Sequence, residues 1–349
     1  MTDIALTADA HMNLFRRYNS FFPHVEKAFE FFYNQCKNQN VQYIFVCGDL
    51  FHTKNYTATD ALLKANDILH NLSQIAEIHM IPGNHDKVMN DDTEVNLLNN
   101  YKYYKNIYVH NEYEWLTING TRFDFLPFKR EDILKKEIAN IKCNGESCVL
   151  ISHLGVAGFH LHEGAEYGYV DRSSQVAPAD LKKFKRVFLG HYHGFQENGN
   201  TIYVSAPFQS RHGDENSKHG FIFYESITNE AKFIENPFSP RFITMDFTKD
   251  NIQKLMSVEN CFIKLNINRH ISKELLMAVK YRLLKKNCDV DYKFNIIPQN
   301  AQFATIEGWD TITYTTTDDL LIGFVKNLQN QNKINSNFNE KELLDIILQ

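Results

Sequence analysis

Ile78-His79-Met80-Ile81-Pro82-Gly83-Asn84-His85-Asp86 sets a short apolar run directly against Gly-Asn-His-Asp. An apolar run this short, ended by Pro-Gly, reads as a buried strand that stops at a sharp turn. The same arrangement recurs along the chain. Ile4 to Leu6 is followed by Thr7-Ala8-Asp9-Ala10-His11, and Tyr43 to Cys47 by Gly48-Asp49-Leu50-Phe51-His52. Val149 to Ile151 is followed by Ser152-His153, and Val187 to Leu189 by Gly190-His191-Tyr192-His193. Each predicted strand thus delivers metal-type ligands at its carboxyl end, the edge of an open α/β sheet at which sites form.

Between these runs lie segments of helical period. Phe21, Val25, Ala28, Phe29 and Phe32 recur at three- and four-residue steps within Ser20 to Lys37, and Ala61, Leu62, Ala65, Ile68, Leu69 and Leu72 do so within Thr57 to Ser73. Strand alternating with helix predicts an α/β domain with helices over the sheet faces. From about Tyr108 the texture changes. Trp115 to Phe125 reads as a hairpin on Asn119-Gly120, and Asn198-Gly199 begins a similar turn before Thr201 to Val204. Further strands are predicted at Gly220 to Tyr224 and Ala231 to Ile234, so the sheets are expected to be mixed.

The ligand set is chemically coherent. Carboxylate, imidazole and amide oxygen suit Mn, Fe, Zn or Co, and no thiolate is supplied. Gly48, Gly83 and Gly190 are read as positions where the backbone turns sharply to aim the next side chain. Two ions roughly 3.5–4 Å apart can activate water and clamp the attacking and leaving oxygens of an in-line displacement. D-x-H or G-D alone is a weak signal, and a lone histidine is usually a packed or surface residue. The ordered set D-x-H, G-D, G-N-H-D, S-H, G-H-x-H is a strong one.

That set, spanning residues 9 to 193, resembles the calcineurin-like metallophosphoesterase superfamily. The resemblance implies two packed mixed β-sheets flanked by helices, an αββα core. It implies that Asp9, His11, Asp49 and His193 hold one metal, and that Asp49 bridges to a second held with Asn84, His153 and His191. His85 is implied to contact the reacting phosphate and protonate the leaving oxygen, a task suited to imidazole near neutral pH. Asp86 is expected to orient His85 by a hydrogen bond.

Within the superfamily the chain is most similar to the SbcD-type nuclease subunits, phage recombination-endonuclease subunits included. Gly48-Asp49-Leu50-Phe51-His52 matches their G-D-x-F-[DH] form and places His52 as a second histidine beside the phosphate. Ser152 to Gly158 resembles the block around their lone metal histidine. Tyr203 to Pro207, Arg211-His212-Gly213-Asp214-Glu215 and Lys218 to Phe221 resemble the stretch after G-H-x-H. Met12-Asn13 depart from the usual Leu-Gly after D-x-H, at positions that are not ligands. The implied activity is a Mn-dependent DNA exonuclease/endonuclease with two divalent ions (Mg, Fe or Zn as alternatives to Mn), working with an SMC-like ABC ATPase and as a homodimer. The exposed face of the Ser20 to Lys37 helix is a candidate dimer surface, although core packing would account for it as well. A small-substrate phosphatase or cyclic-nucleotide phosphodiesterase with the same site, and a non-catalytic DNA-binding scaffold, are the alternatives.

The expected domains are 1–240 for the nuclease and 241–325 for a small α+β cap, with a strand at Cys261 to Ile267, a helix from Ser272 to Lys286 and a strand at Asp291 to Ile297. Residues 326–349 form a polar linker ending in a short helix, Asn339 to Gln349. Its apolar Leu343, Leu344, Ile347 and Leu348 would dock on their own domain or on the ATPase partner. The long linker usual in cellular relatives is nearly missing.

Across 349 residues the chain is 43% hydrophobic and 23% charged, with a net charge of −5, as befits a soluble globular protein without a global pull toward nucleic acid or anionic membrane. Six cysteines without a C-x-x-C pair, no signal-peptide pattern and no long apolar run lead to an expectation of a reduced, cytoplasmic protein, in a host cytoplasm if phage-encoded. DNA-contact residues are not assigned. Lys182-Lys183-Phe184-Lys185-Arg186, Lys135-Lys136 and Lys285-Lys286 are the basic clusters that would neutralise phosphates if they line the cleft and are otherwise solvated surface. His79 is read as a packed side chain.

Overall fold

The computed structural model describes residues 2–12, 21–54, 56–90, 95–143, 148–161 and 170–295. The expected helix Asn339–Gln349, the rest of 296–349 and Ser20 lie outside the described residues. The chain divides into two units, Met1–Pro240 and Arg241–Gln349.

In the first unit the elements run β1 Ile4–Thr7, α1 Phe22–Gln39, β2 Tyr43–Val46, α2 Thr59–Ser73, β3 Glu77–Met80, β4 Ile107–Val109, β5 Glu114–Ile118, β6 Thr121–Leu126 and α3 Glu131–Asn140. They continue with β7 Cys148–His153, α4 Pro178–Leu181, β8 Arg186–Gly190, β9 Gln196–Asn198, β10 Thr201–Tyr203, β11 Gly220–Glu225 and β12 Glu230–Glu235. Two sheets result, in the orders β12-β11-β1-β2-β3-β4 and β5-β6-β7-β8-β10-β9. The first has a parallel run, β1 to β4, extended beyond β1 by antiparallel β11 and β12, and the second has a parallel centre, β6, β7, β8 and β10, with antiparallel β5 and β9 at its edges. The parallel centres put the carboxyl ends of the ligand-bearing strands on one edge of each sheet.

The sheets pack face to face. Ile4, Leu6, Phe45 and Ile222 from the first share one core with Phe123, Phe125, Val149, Ile151 and Phe188 from the second. The Phe45 ring meets Phe123 and Phe125 edge-on, at centroid distances of 5.4 and 5.1 Å. Helices cover the outer faces. Phe32 of α1 stacks on Phe221 of β11 at 4.3 Å, and Leu134 and Ile138 of α3 join Leu150, Val187 and Leu189 beneath the second sheet. The expected αββα layering is thus present.

α1 begins with Pro23 in its first turn, where a missing N–H costs nothing, and ends at Asn40 in the left-handed region at φ 54°. Its apolar stripe, Val25, Ala28, Phe29, Phe32 and Cys36, is buried against the sheet. Of the two readings of its apolar residues, core packing accounts for this stripe. The Asn119-Gly120 turn has both residues at positive φ, 51° and 80°, the geometry of the two-residue hairpin.

The second unit contains β13 Arg241–Asp246, α5 Lys249–Leu255, β14 Cys261–Ile267, α6 Lys273–Leu284 and β15 Asp289–Phe294. β13, β14 and β15 pair in parallel, so this is a βαβαβ unit: the expected strand, helix and strand are present, preceded by β13 and α5, which sequence reading did not foresee. Parallel neighbours need crossovers, and α5 and α6 supply them. Ile252, Leu255, Leu275, Val279 and Leu283 of the helices bury Ile263, Leu265 and Val290 of the sheet. Ser272 caps α6 as expected, accepting the Leu275 N–H at 3.3 Å. No helix among the described residues is long and apolar enough to cross a membrane.

Candidate metal centre

Asp9, His11, Asp49 and His153 are buried to within 2% of full burial, and His193 to 9% exposure. The first sheet contributes the loops after β1, β2 and β3, hence Asp9, His11, Asp49 and Asn84. The second contributes the end of β7 and the loop after β8, hence His153, His191 and His193.

Their donor atoms form two adjoining clusters. In one, His11 Nε2 and His193 Nε2 stand 3.1 Å apart, and Asp49 Oδ2 lies 3.8 Å from His11 Nε2. In the other, Asn84 Oδ1 is 3.1 Å from both His153 Nε2 and His191 Nδ1. Asp49 Oδ2 reaches this cluster too, 3.4 Å from His153 Nε2. Asp9, His11 and His193 form one group able to hold an ion, and Asp9, Asp49 and His153 another. Two ligand atoms about 2.1 Å from one ion, at tetrahedral or octahedral angles, stand roughly 3.0–3.4 Å apart. The spacings of 3.1 to 3.4 Å match that, with only Asp49 Oδ2 to His11 Nε2 longer at 3.8 Å, so the donor set fits a pair of metal ions.

The electrostatics agree. Burial drives His11 well below its ordinary pKa. Burial, with His153 beside it, takes His191 down to about 3. Both rings are therefore neutral and can offer a lone pair. Burial would depress His153 as well, but the Asp49 and Asp9 carboxylates outweigh it and hold this imidazole up at about 9. His153 Nδ1 donates to the Cys47 carbonyl at 2.8 Å, which leaves Nε2 as the ligand atom. A proton held there by two carboxylates is what a cation would displace.

The backbone is strained where it presents these groups. Asp9, His11, Asp49 and His191 all have positive φ, at 52°, 45°, 52° and 101°. Such conformations are costly for residues with a Cβ and cluster at functional sites. They persist here because each loop is tied to its neighbour. Asp9 N–H donates to Gly48 O, His11 N–H to Asp49 O, and the His191 N–H is shared between the two Asp9 carboxylate oxygens. Gly48 has the expected turn geometry at φ 91°, whereas Gly83 and Gly190 do not have positive φ. Their role is space: a Cβ on Gly83 would lie 2.2 Å from Asp49 Oδ1, and one on Gly190 2.2 Å from Cys47 O.

His52 and His85 flank the first cluster. Their rings stack with centroids 5.0 Å apart and planes within 14°, and His85 Nδ1 donates to the His52 carbonyl at 2.6 Å. His52 Nδ1 is 3.3 Å from His11 Nδ1. Burial and the neighbouring His85 bring the His52 pKa down to about 4. The expected Asp86–His85 hydrogen bond is not formed. Asp86 is buried, and its two oxygens accept the backbone N–H groups of Phe51, at 3.0 Å, and Gly83, at 2.9 Å. It therefore ties the loops carrying Asp49 and Asn84 to each other and leaves His85 to the His52 carbonyl.

Several side chains of the basic clusters are committed elsewhere. Lys183 donates to the carbonyls of Ile138, Ala139 and Ile141 at the end of α3, Lys185 to Ser226 O, and Arg186 pairs with Glu197. They stand at the start of β8, the opposite end from His191, so they do not line the metal centre. Lys135 donates to Gln175 O. Lys285 lies over the Tyr281 ring in the second unit. His79 is packed as read, its Nδ1 2.9 Å from His110 Nε2 and its ring stacked on Tyr108 and Phe125.

Sequence reading missed Asp171. Its carboxylate accepts from Ser173, Ser174 and the Tyr192 hydroxyl. Tyr192, between His191 and His193, also stacks on Tyr203 at 4.6 Å. The middle residue of G-H-x-H thus anchors the loop, and no spacing rule links it to a residue twenty-one positions upstream.

A family model described as calcineurin-like phosphoesterase matches residues 2–195. Among curated sequences, Exonuclease subunit 1 of Enterobacteria phage T4 is 26% identical over 225 residues, 60% of this chain and 63% of that one. Uncharacterized protein R555 of Acanthamoeba polyphaga mimivirus is 22% identical over 241 residues, 65% of this chain and 18% of that one. The chain thus spans less than two thirds of each of these relatives. Among solved structures, Pseudomonas putida nuclease MPE matches at a TM-score of 0.27 and 15% identity, covering 57% of this chain and 66% of that one. Its converging carboxylate, amide and imidazole groups include sets able to hold metal ions, and the chain belongs to the calcineurin-like phosphoesterase family.

Proposed function

We propose that this chain is the nuclease subunit of an SbcCD-like recombination and repair complex, a Mn-dependent DNA exonuclease/endonuclease acting in the cytoplasm with an SMC-like ATPase partner and as a homodimer. One observation carries the reading. Two donor clusters share Asp49, and two stacked histidines flank the first of them. The 26% identity to a phage exonuclease subunit supports DNA as the substrate.

In this reading Asp9, His11, Asp49 and His193 hold one ion, and Asp49, Asn84, His153 and His191 the other. Two such ions supply positive charge against the phosphate oxygens and acidify water to make a nucleophile. The chain's own groups do the rest. His85 Nδ1–H is fixed on the His52 carbonyl, so Nε2 is the atom left to protonate the departing 3′ oxygen. His52, with its pKa brought down to about 4, is neutral near pH 7 and contacts phosphate as a single N–H donor. The second unit serves as the DNA cap.

The test compares end-labelled duplex DNA with a small chromogenic phosphodiester, in Mn2+ and in Mg2+, alongside His85→Ala and Asp49→Ala. Duplex degradation in Mn2+ is expected. Asp49→Ala should lower the rate by on the order of 1,000-fold or more, since it removes a ligand shared by both ions. His85→Ala should lower it by about 100-fold or more, as expected for loss of a general acid. Cleavage of the small ester alone, with DNA intact even after an SMC-like ATPase is added, would overturn the DNA assignment in favour of a small-substrate phosphoesterase.

A further inference from the structure

His193 has two ring nitrogens, and the fold assigns them different tasks. Nε2 faces the donor cluster, 3.1 Å from His11 Nε2. A ring whose Nε2 lone pair is committed to a cation must carry its proton on Nδ1. That Nδ1 is buried and has no partner within hydrogen-bond distance. The acceptor facing it is Asp214 Oδ1, at 3.6 Å. A buried N–H without an acceptor is unfavourable, and a displacement of roughly half an ångström brings this pair within bonding distance.

Asp214 is itself held in place. It is buried, its Oδ2 accepts from Ser210 N (2.9 Å), Ser210 Oγ (3.0 Å) and Arg211 N (3.2 Å), and its Oδ1 accepts from Arg211 Nε (3.2 Å). The His193 main chain is fixed as well, because its carbonyl accepts from Ser205 Oγ and Ala206 N. The neighbouring His219 does not compete for Asp214: its nitrogens lie against Ser217 Oγ and Ala206 O. The sequence reading set the Arg211 to Glu215 stretch apart without giving it a task.

We propose that Asp214 is a positioning residue for the metal centre: its carboxylate takes the Nδ1–H of His193, fixes that ring's tautomer and aims Nε2 at the ion shared with His11, Asp9 and Asp49. This rests on the two-metal reading and makes the two ion positions unequal. His193 is backed by a charged carboxylate, whereas His153, at the other position, is backed by the neutral Cys47 carbonyl. A carboxylate behind an imidazole raises its basicity as a ligand.

The experiment titrates the metal-free full chain with Mn2+ by calorimetry, with the electron paramagnetic resonance of bound Mn2+ as a second readout. Asp214→Asn keeps the shape and removes the charge. Ser210→Ala removes one bond to Asp214 without touching His193. The wild type is expected to take up two ions. Asp214→Asn should weaken one of them 10- to 100-fold and leave the other unchanged. Ser210→Ala should bind both as the wild type does, even if its melting temperature falls as far. Wild-type affinity at both positions in Asp214→Asn would overturn the proposal, and so would equal weakening in Ser210→Ala, which would make the turn and not the carboxylate responsible. A wild type that binds no Mn2+ would overturn the two-metal reading, and this inference with it.

Discussion

The two sheets bring different chemistry to one place. The first supplies the acids and the amide, Asp9, Asp49 and Asn84, together with His11. The second supplies imidazoles alone, His153, His191 and His193. Among the ligand-type residues the first sheet has positive φ at Asp9, His11 and Asp49, and the second at His191, with Ser205 after β10 also at 82°. Neither half is a metal site by itself. The acids of one sheet would be buried charges without counter-charge, a costly state, and the imidazoles of the other would lack a carboxylate to balance an ion. Packing the sheets face to face resolves both deficits, and the small side chains Ala8 and Cys47 sit in the shared core beside the loops that must approach.

Separating the sheets at their point of closest approach should have the largest effect. Gly83→Ala places a methyl group against Asp49, and Gly190→Ala places one against Cys47 O and His153. In both cases rigid backbone or a metal ligand must move. Overpacking of this kind costs about 3 kcal/mol, which lowers the melting temperature by roughly 6–12 °C. Metal uptake should be lost with it, as calorimetry would show. A Gly83→Ala protein that melts and binds Mn2+ like the wild type would mean that the loops have slack.

Acid–imidazole pairing across the sheets predicts opposite pH trends for the protein with and without metal. The His153 pKa stands at about 9 in the folded protein, above its ordinary 6.5. Without metal, the stability that its proton contributes is full below pH 6.5 and is lost as pH rises through 9. With metal, that same proton must leave, so affinity should rise with pH, by roughly tenfold per unit for one displaced proton, and level off above about 9. Denaturant melts with and without Mn2+ across pH 6 to 10 would check both arms. Parallel trends would argue against the Asp49–His153 pairing.

The smallest effect belongs to the far end of the second sheet. Lys183 serves the last carbonyls of α3, a helix-capping contact worth about 0.3–1 kcal/mol. Lys183→Met should lower stability by that amount and leave both DNA affinity and its salt dependence unchanged. A shallower salt slope would return this lysine to the DNA-binding surface.

Much of this site was legible beforehand because it is written locally. A short apolar run ended by Gly-Asp or Gly-Asn-His-Asp specifies both a strand and its terminal ligand, and the structure brings Asp9, His11, Asp49, Asn84, His153, His191 and His193 together. The hairpin at Asn119-Gly120 and the helices α1 and α2 were readable for the same reason: turn chemistry and period are local signals. β4, α3, β13 and α5 were not read. β4 is a three-residue edge strand, and α3 has a short apolar stripe that only its sheet makes decisive.

The sequence by itself determined the ligand types, their order, and their place at strand ends, because side-chain chemistry and strand termination are properties of a few adjacent residues. Tertiary structure decided which atoms face one another. It set Asp86 on two backbone amides and not on His85, gave Gly83 and Gly190 the role of clearance, sent Lys183 to a helix end, ran the strands of the small unit in parallel, and laid Asp171 and Asp214 behind the Gly-His-Tyr-His loop. Those outcomes depend on distances between segments far apart in the chain, and such distances are fixed only when the two sheets close on their shared core.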